Sequence, residues 1–320
     1  MQKKIFFSIC CLFLIGCKNE NELEKKIAQI PVKVDVIRFD QKFAQATEEN
    51  LEELKNEFPY FFPKEIPDSI WIEQINDTLQ QELNREVAKT FPNFERTKDE
   101  IRQFFQHLKY YFPKFSEPQI ITLTSEVDYQ NRVIATDSLL LISLDVYLGS
   151  THEFYHGIYD YIRKDFEKDL IVSDIAEEYI KQLIPRPESR TFLAQMIYHG
   201  KILYLKDMLI PFKTDAQKIK YTEDQLVWAK ENEANIWVYF VEKELLYQTD
   251  SRLKNRFIDL APFSKFYLKL DRESPPQLGR WLGWQIVRQY MKKNQEVDLH
   301  EMLKTDAHTI FDKSNYKPEK

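Results

Sequence analysis

From residue 31 the chain alternates. Pro31-Val32-Lys33-Val34-Asp35-Val36-Ile37-Arg38-Phe39-Asp40 follows the period-2 pattern of a half-buried strand. The apolar period then lengthens to that of helices over 41–57, 69–90 and 96–111. Phe58-Pro59-Tyr60-Phe61-Phe62-Pro63 and Pro92 interrupt these, because proline has no amide hydrogen to give a helix. Three short apolar runs follow, at 120–124, 132–135 and 139–144, with polar turns between them. They read as an antiparallel patch of sheet that the first strand joins in space. After Gly149 helical patterns take over, at 151–165, 170–183, 188–208, 222–248, 251–260, 276–293 and 297–304. Prolines 185, 187, 211, 262, 275 and 276 mark the breaks. The expected fold is α+β and predominantly helical: a small antiparallel sheet followed by a helical C-terminal half, in one domain over 31–320.

The first thirty residues read differently. Lys3 and Lys4 precede an apolar run from Ile5 to Ile15, interrupted by Ser8. That run is shorter than the roughly twenty residues a membrane span needs, but suits a secretory signal. Leu14-Ile15-Gly16-Cys17 resembles the lipobox cut by the lipoprotein signal peptidase. Residues 1–16 are therefore expected to be a signal peptide, with Cys17 the lipid attachment site. Of the three cysteines, Cys10 and Cys11 would leave with the signal, so Cys17 would be the sole mature cysteine and no disulfide would form. Each buried lipid methylene contributes about 0.8 kcal/mol, so a diacyl or triacyl anchor holds firmly. Lys18 after the cysteine resembles the enterobacterial sorting pattern for an outer-membrane destination, and the domain is expected to face the periplasm. The polar stretch 17–30 is expected to be a flexible tether.

Composition narrows the classes. Removing Lys3 and Lys4 leaves 43 basic against 51 acidic residues, an acidic balance that disfavours nucleic acid as a partner. Apolar residues at 43% and aromatics at 14% are those of a folded chain with a bulky core. Only six glycines in 320 residues leave few tight hairpins and favour helices.

The sharpest chemical motif is His152-Glu153-Phe154-Tyr155-His156. On a helix, His-Glu-x-x-His sets two imidazoles one turn apart with a glutamate to activate a metal-bound water. Read as an enzyme, the chain is a membrane-anchored zinc metallopeptidase with His152, His156 and Glu177 (or Glu178) as ligands and Glu153 as base. The setting argues for coincidence: Gly149 and Gly157 flank the motif, and Thr151 looks like an N-cap that would put both histidines in the first turns. His107, His300 and His308 have no partner pattern. His199 precedes Gly200, which in a helix marks close packing with a neighbour. Gly279 and Gly283 read likewise as a face where another helix crosses. The aromatic residues Trp228, Trp237, Tyr239, Phe240 and Tyr247 read as the buried face of a helix, or alternatively as the lining of a ligand groove.

Several segments together resemble the GldB family of gliding-motility lipoproteins of Bacteroidetes. They are the lipobox at Cys17, Val36-Ile37-Arg38-Phe39-Asp40, the Phe-Pro turn at 58–63 and Asp145-Val146-Tyr147-Leu148-Gly149. Met196-Ile197, Gly200-Lys201, Leu203-Tyr204, Trp228, Glu233, Ile236-Trp237, Gly283-Trp284-Gln285-Ile286-Val287 and Tyr290-Met291 complete the set in order. The resemblance implies an envelope lipoprotein required for gliding, alongside other gliding-motility envelope proteins. It also implies a remote similarity to predicted zinc peptidases, whose motif would fall on Asp174–Lys181 with a later acid near His199. Glu177, Lys181 and His199 then stand where ligands belong, a degenerate zinc-peptidase-like scaffold without its metal. On that reading the protein is a non-enzymatic interaction or structural component, with no cofactor beyond the lipid on Cys17.

Overall fold

The computed structural model describes residues 16–318 apart from Leu270, with side chains from residue 22 onward. The signal peptide expected over 1–16 lies outside the described residues up to residue 15, as does the side chain of Cys17.

Helix α1 (Gly16–Ala28) runs through the segment whose polarity predicts a flexible tether. Ile27 is its buried apolar contact, and the Gln106 amide donates to Ala28 O at 2.8 Å and Ile30 O at 3.1 Å. One apolar anchor on a charged helix sets up no periodic signal, so polarity alone reads as linker. Strand β1 (Val36–Arg38) leads into α2 (Phe39–Ala44), α3 (Leu51–Glu57), α4 (Asp68–Asn76), α5 (Thr78–Thr90) and α6 (Glu95–Tyr111). The helices expected at 41–57 and 69–90 are each split in two. Asp77 makes the second break: its carboxylate accepts from Gln80 N at 2.8 Å and caps α5.

Strands β2 (Gln119–Leu123), β3 (Val133–Ala135) and β4 (Leu139–Ser143) complete a four-stranded sheet in the order β1-β2-β4-β3. It is mixed, not antiparallel as expected. β1 pairs parallel with β2 (Ile37 opposite Ile121), β2 parallel with β4 (Ile121 opposite Leu141), and only β3 runs antiparallel to β4. Both faces are covered. Ile121, with Leu139 and Leu141 beside it, packs on the Phe39, Phe43, Phe58 and Phe62 cluster, while Ile120, Leu140 and Ile142 face the main core. Strands buried on both faces read as continuous apolar runs, and such runs favour parallel pairing.

The rest is helical: α7 (Asp160–Arg163), α8 (Ile171–Leu183), α9 (Phe192–Leu209), α10 (Asp215–Ile219), α11 (Glu223–Glu231) and α12 (Glu233–Glu242), then α13 (Ser251–Phe257), α14 (Leu278–Lys293), α15 (Leu299–Lys304) and α16 (Ala307–Ser314). The fold is therefore α+β and predominantly helical. Helices α9 and α14 cross backbone to backbone. A Cβ built at Gly283 would lie 1.9 Å from Met196 O, and one at Gly200 would lie 2.2 Å from Gly283 O. Gly200 and Gly283 thus mark the helix crossing, while Gly279 packs closely on Phe257 and Ile258 at the end of α13 and on the Phe192 ring. Trp237 packs on Phe311 and Tyr316, and Phe240 is fully buried, so most of the aromatic series is core.

Candidate functional site

The structure does not bring the His-Glu-x-x-His residues together. The helix expected over 151–165 is replaced by a single 3-10 turn, Glu153–Tyr155, and the short α7. His152 caps that turn, its Nδ1 accepting from Phe154 N at 3.3 Å, and its Nε2 lies 3.2 Å from Glu86 Oε2. Glu153 and His156 are exposed. Glu177 belongs to α8, in another network. Tyr155 explains the local shape: its ring is fully buried, and its hydroxyl donates to Asp145 O at 2.7 Å and accepts from Leu148 N at 2.9 Å. Burying that ring between the histidines breaks the helical register that a shared metal face requires.

What the fold does assemble is a buried cluster of charge on α8, α9, α14 and the turn after α10. Asp174, Glu177 and Lys181 fall at helical spacing on α8. Asp174 is 4% exposed and is held at 2.8 Å by Arg132 Nε and at 2.8 Å by the Tyr147 hydroxyl. The Lys220 ammonium also sits on Asp174, and lies 3.5 Å from Glu177. Glu177 is further paired with Lys206 at 3.0 Å and Lys181 at 3.5 Å. Lys206, 1% exposed, spends its other donors on Ser173 Oγ at 3.1 Å and Lys218 O at 3.0 Å. Lys220 caps α10 with φ of 61°, a left-handed position where glycine is the usual choice. Its ion pairs with Asp174 and Glu177 give a reason for lysine there.

Burial disfavours charge on both carboxyls, but the surrounding cations outweigh it. Arg132 and Lys220 bring Asp174 below its ordinary 3.8, and Lys206, Lys220 and Lys181 hold Glu177 well below 4.5. Lys206 shares its carboxylate with two other ammonium groups, so burial wins there and pushes it down to about 8. His199, on α9, lines the same cavity as Glu177; burial and then the Arg280 charge push its imidazole well below 6.5, so it is neutral near pH 7.

Zinc, implied by the remote peptidase resemblance, does not fit these residues. Glu177 and His199 do approach one cavity, as that alignment requires. But Lys181 holds the remaining ligand position, and although burial favours its neutral amine, Glu177 and Glu178 keep it protonated and without a lone pair. Glu177 is saturated with ammonium partners, and among the described residues no three His, Cys, Asp or Glu side chains gather as a metal set. Sequence reasoning missed Lys206, Lys220, Arg132 and Arg280. Lys206 carried a signal, since a lysine inside the otherwise apolar Ile202-Leu203-Tyr204-Leu205-Lys206 demands a buried partner. The others are too scattered along the chain to show one.

No described helix is long and apolar enough to cross a membrane. No curated protein and no solved structure is a match for the chain. A family model named for GldB lipoproteins, and described as gliding motility protein GldB, matches residues 20–318. With nearly its whole length matched, the chain belongs to the GldB family of gliding motility proteins.

Proposed function

We propose that this protein is a lipid-tethered envelope component of the gliding apparatus and that it acts by binding other proteins, not by hydrolysis. The observation that carries the reading is Glu177: the carboxylate standing where a zinc ligand belongs lies within 3.0–3.5 Å of three lysines. The charge of that carboxylate is balanced by its lysines and its oxygens are occupied by them, which leaves it poorly placed to hold a metal or to activate water. Membership of the family supplies the connection with gliding. Cys17 carries the lipid, which holds the domain at the outer membrane on the periplasmic side, and its partners are other gliding-motility envelope proteins. Helix α1, which follows the proposed anchor, docks on α6 through Glu24 and Ala28.

Deletion of the gene should abolish gliding, and the full chain should restore it. A pull-down of the lipidated chain from envelopes should recover defined partners, and Cys17→Ser should move the protein out of the membrane fraction. Normal gliding after deletion, together with an empty pull-down, overturns the proposal.

A further inference from the structure

The cavity beside Glu177 has a volume of about 180 Å³ and more positive than negative charge in its wall. Arg132, Lys218, Lys220 and Arg280 line it against Asp165 and Glu177. Most of these charges are answered within the protein. Arg132 and Lys220 pair with Asp174, Lys218 with Asp207 at 3.0 Å, Glu177 with Lys206, and Asp165 with Lys164 at 2.5 Å. Arg280 differs. Its Nε donates to Ile258 O at 2.7 Å, and among the described residues no carboxylate lies in ion-pair range of its two terminal amino groups.

Two further features add donors and positive potential. The ring nitrogens of His199 make no hydrogen bond within the described residues, and a neutral imidazole offers one N–H. Gln277 and Arg280 also place the start of α14, a 16-residue helix, at the cavity wall, and a helix N-terminus carries partial positive charge. Leu260, 40% exposed, marks where the cavity meets solvent.

Arg280 is half-buried, and the carboxylates that share its wall, Glu177 and Asp165, are already paired with lysines, so an anion entering the cavity would meet a guanidinium with free donors. We propose that this cavity binds a small oxyanion, gripped by the terminal amino groups of Arg280 with Lys220 and His199 beside it. The planar fork of arginine matches two oxygens of a phosphate or a carboxylate. The volume lies below the roughly 300–1,000 Å³ of pockets that take drug-sized ligands. It therefore admits a free anion or one inserted carboxylate. The inference rests on reading the site as cation-filled and metal-free, and is independent of the gliding role.

The test is calorimetric titration of the full-length protein in detergent with inorganic phosphate, sulfate and acetate, and separately with zinc. One anion should bind per chain. Arg280→Met should weaken binding by about tenfold or more, the loss expected for a charge-assisted hydrogen-bonded pair. Asp165→Asn keeps the guanidinium and removes a repelling carboxylate, so it should tighten binding; this arm stands even if Arg280→Met fails to fold. Phosphate ahead of acetate identifies a free tetrahedral anion, and acetate ahead of phosphate identifies an inserted carboxylate. Absence of all anion binding in folded wild-type protein, or anion binding that Asp165→Asn weakens, overturns the inference. If zinc also fails to bind, the reading it rests on survives. Stoichiometric zinc uptake lost in Glu177→Gln sinks that reading.

Discussion

Gly283→Ala sets two effects of opposite sign against each other. In an isolated helix alanine is favoured over glycine by about 1 kcal/mol. Here the added methyl would meet Met196 O at 1.9 Å, where ordinary contact begins at 3.4 Å. The atom it meets is backbone, so relief requires α9 and α14 to move apart by roughly 1.5 Å, the difference between those two distances. That seam includes Met196, Ile197, Trp281 and Trp284, each at most 1% exposed. A gap of 0.5–1 Å already forfeits about a quarter to a half of a dispersion contact, and overpacking typically costs about 1–3 kcal/mol. Because the clash is with backbone, the cost belongs at the upper end of that range; set against the propensity gain of about 1 kcal/mol, the net loss should be about 2 kcal/mol, or roughly 5 °C in a chain of this size. Calorimetry on the full-length protein in detergent reads it directly. Gly279→Ala should cost less, because its backbone contact, Phe257 O at 2.9 Å, is about 1 Å farther off than Met196 O is at Gly283, and its other close contact is the movable tip of the Ile258 side chain. If Gly283→Ala melts at or above the wild-type temperature, the backbone-to-backbone crossing is wrong.

Glu177→Gln should destabilise by about 3 kcal/mol, because it leaves the buried Lys206 ammonium with only Ser173 Oγ and Lys218 O. Adding Lys206→Met should recover part of the loss; chemical denaturation of the single and double variants checks both. Acid should act through the same cluster. The folded Asp174 and Glu177 carboxyls lie below their ordinary 3.8 and 4.5, so their contribution is complete above that range and lost as pH falls through their folded values. Melting temperature should therefore drop below about pH 4, and less steeply in Glu177→Gln; identical acid profiles would remove Glu177 from the account.

The sequence revealed features made by local spacing and hid those made by distant residues. Gly200, Gly279 and Gly283 marked close packing because glycine inside a helix has few other uses, and Gly200 and Gly283 meet at the crossing itself. Most helix positions were legible, and Asp77, a breaker within an apparently continuous pattern, shows how one side-chain cap divides two helices. Strand direction was not legible. β1 reaches β2 only after five helices, and nothing in Val36-Ile37-Arg38 states which way its partner runs. His152 and His156 matched a spacing without its helix, because the intervening Tyr155 is committed to the core. The cluster around Glu177 draws on residues from 132 to 280, and only the fold brings them together.

On the function proposed above, this chain works by binding. Two glutamates stand where a metallopeptidase base would: Glu153 after His152, and Glu178 after Glu177. Glu153 is exposed and Glu178 half-buried, and among the described residues Glu178 pairs only with Lys181, at 2.7 Å, so Gln at both positions should leave the fold intact. The decisive measurement is gliding speed of a deletion strain carrying Glu153→Gln/Glu178→Gln, against the same strain carrying the wild-type chain at equal abundance. Equal gliding is the predicted result; loss of gliding with normal protein levels would contradict the claim and restore the hydrolytic reading.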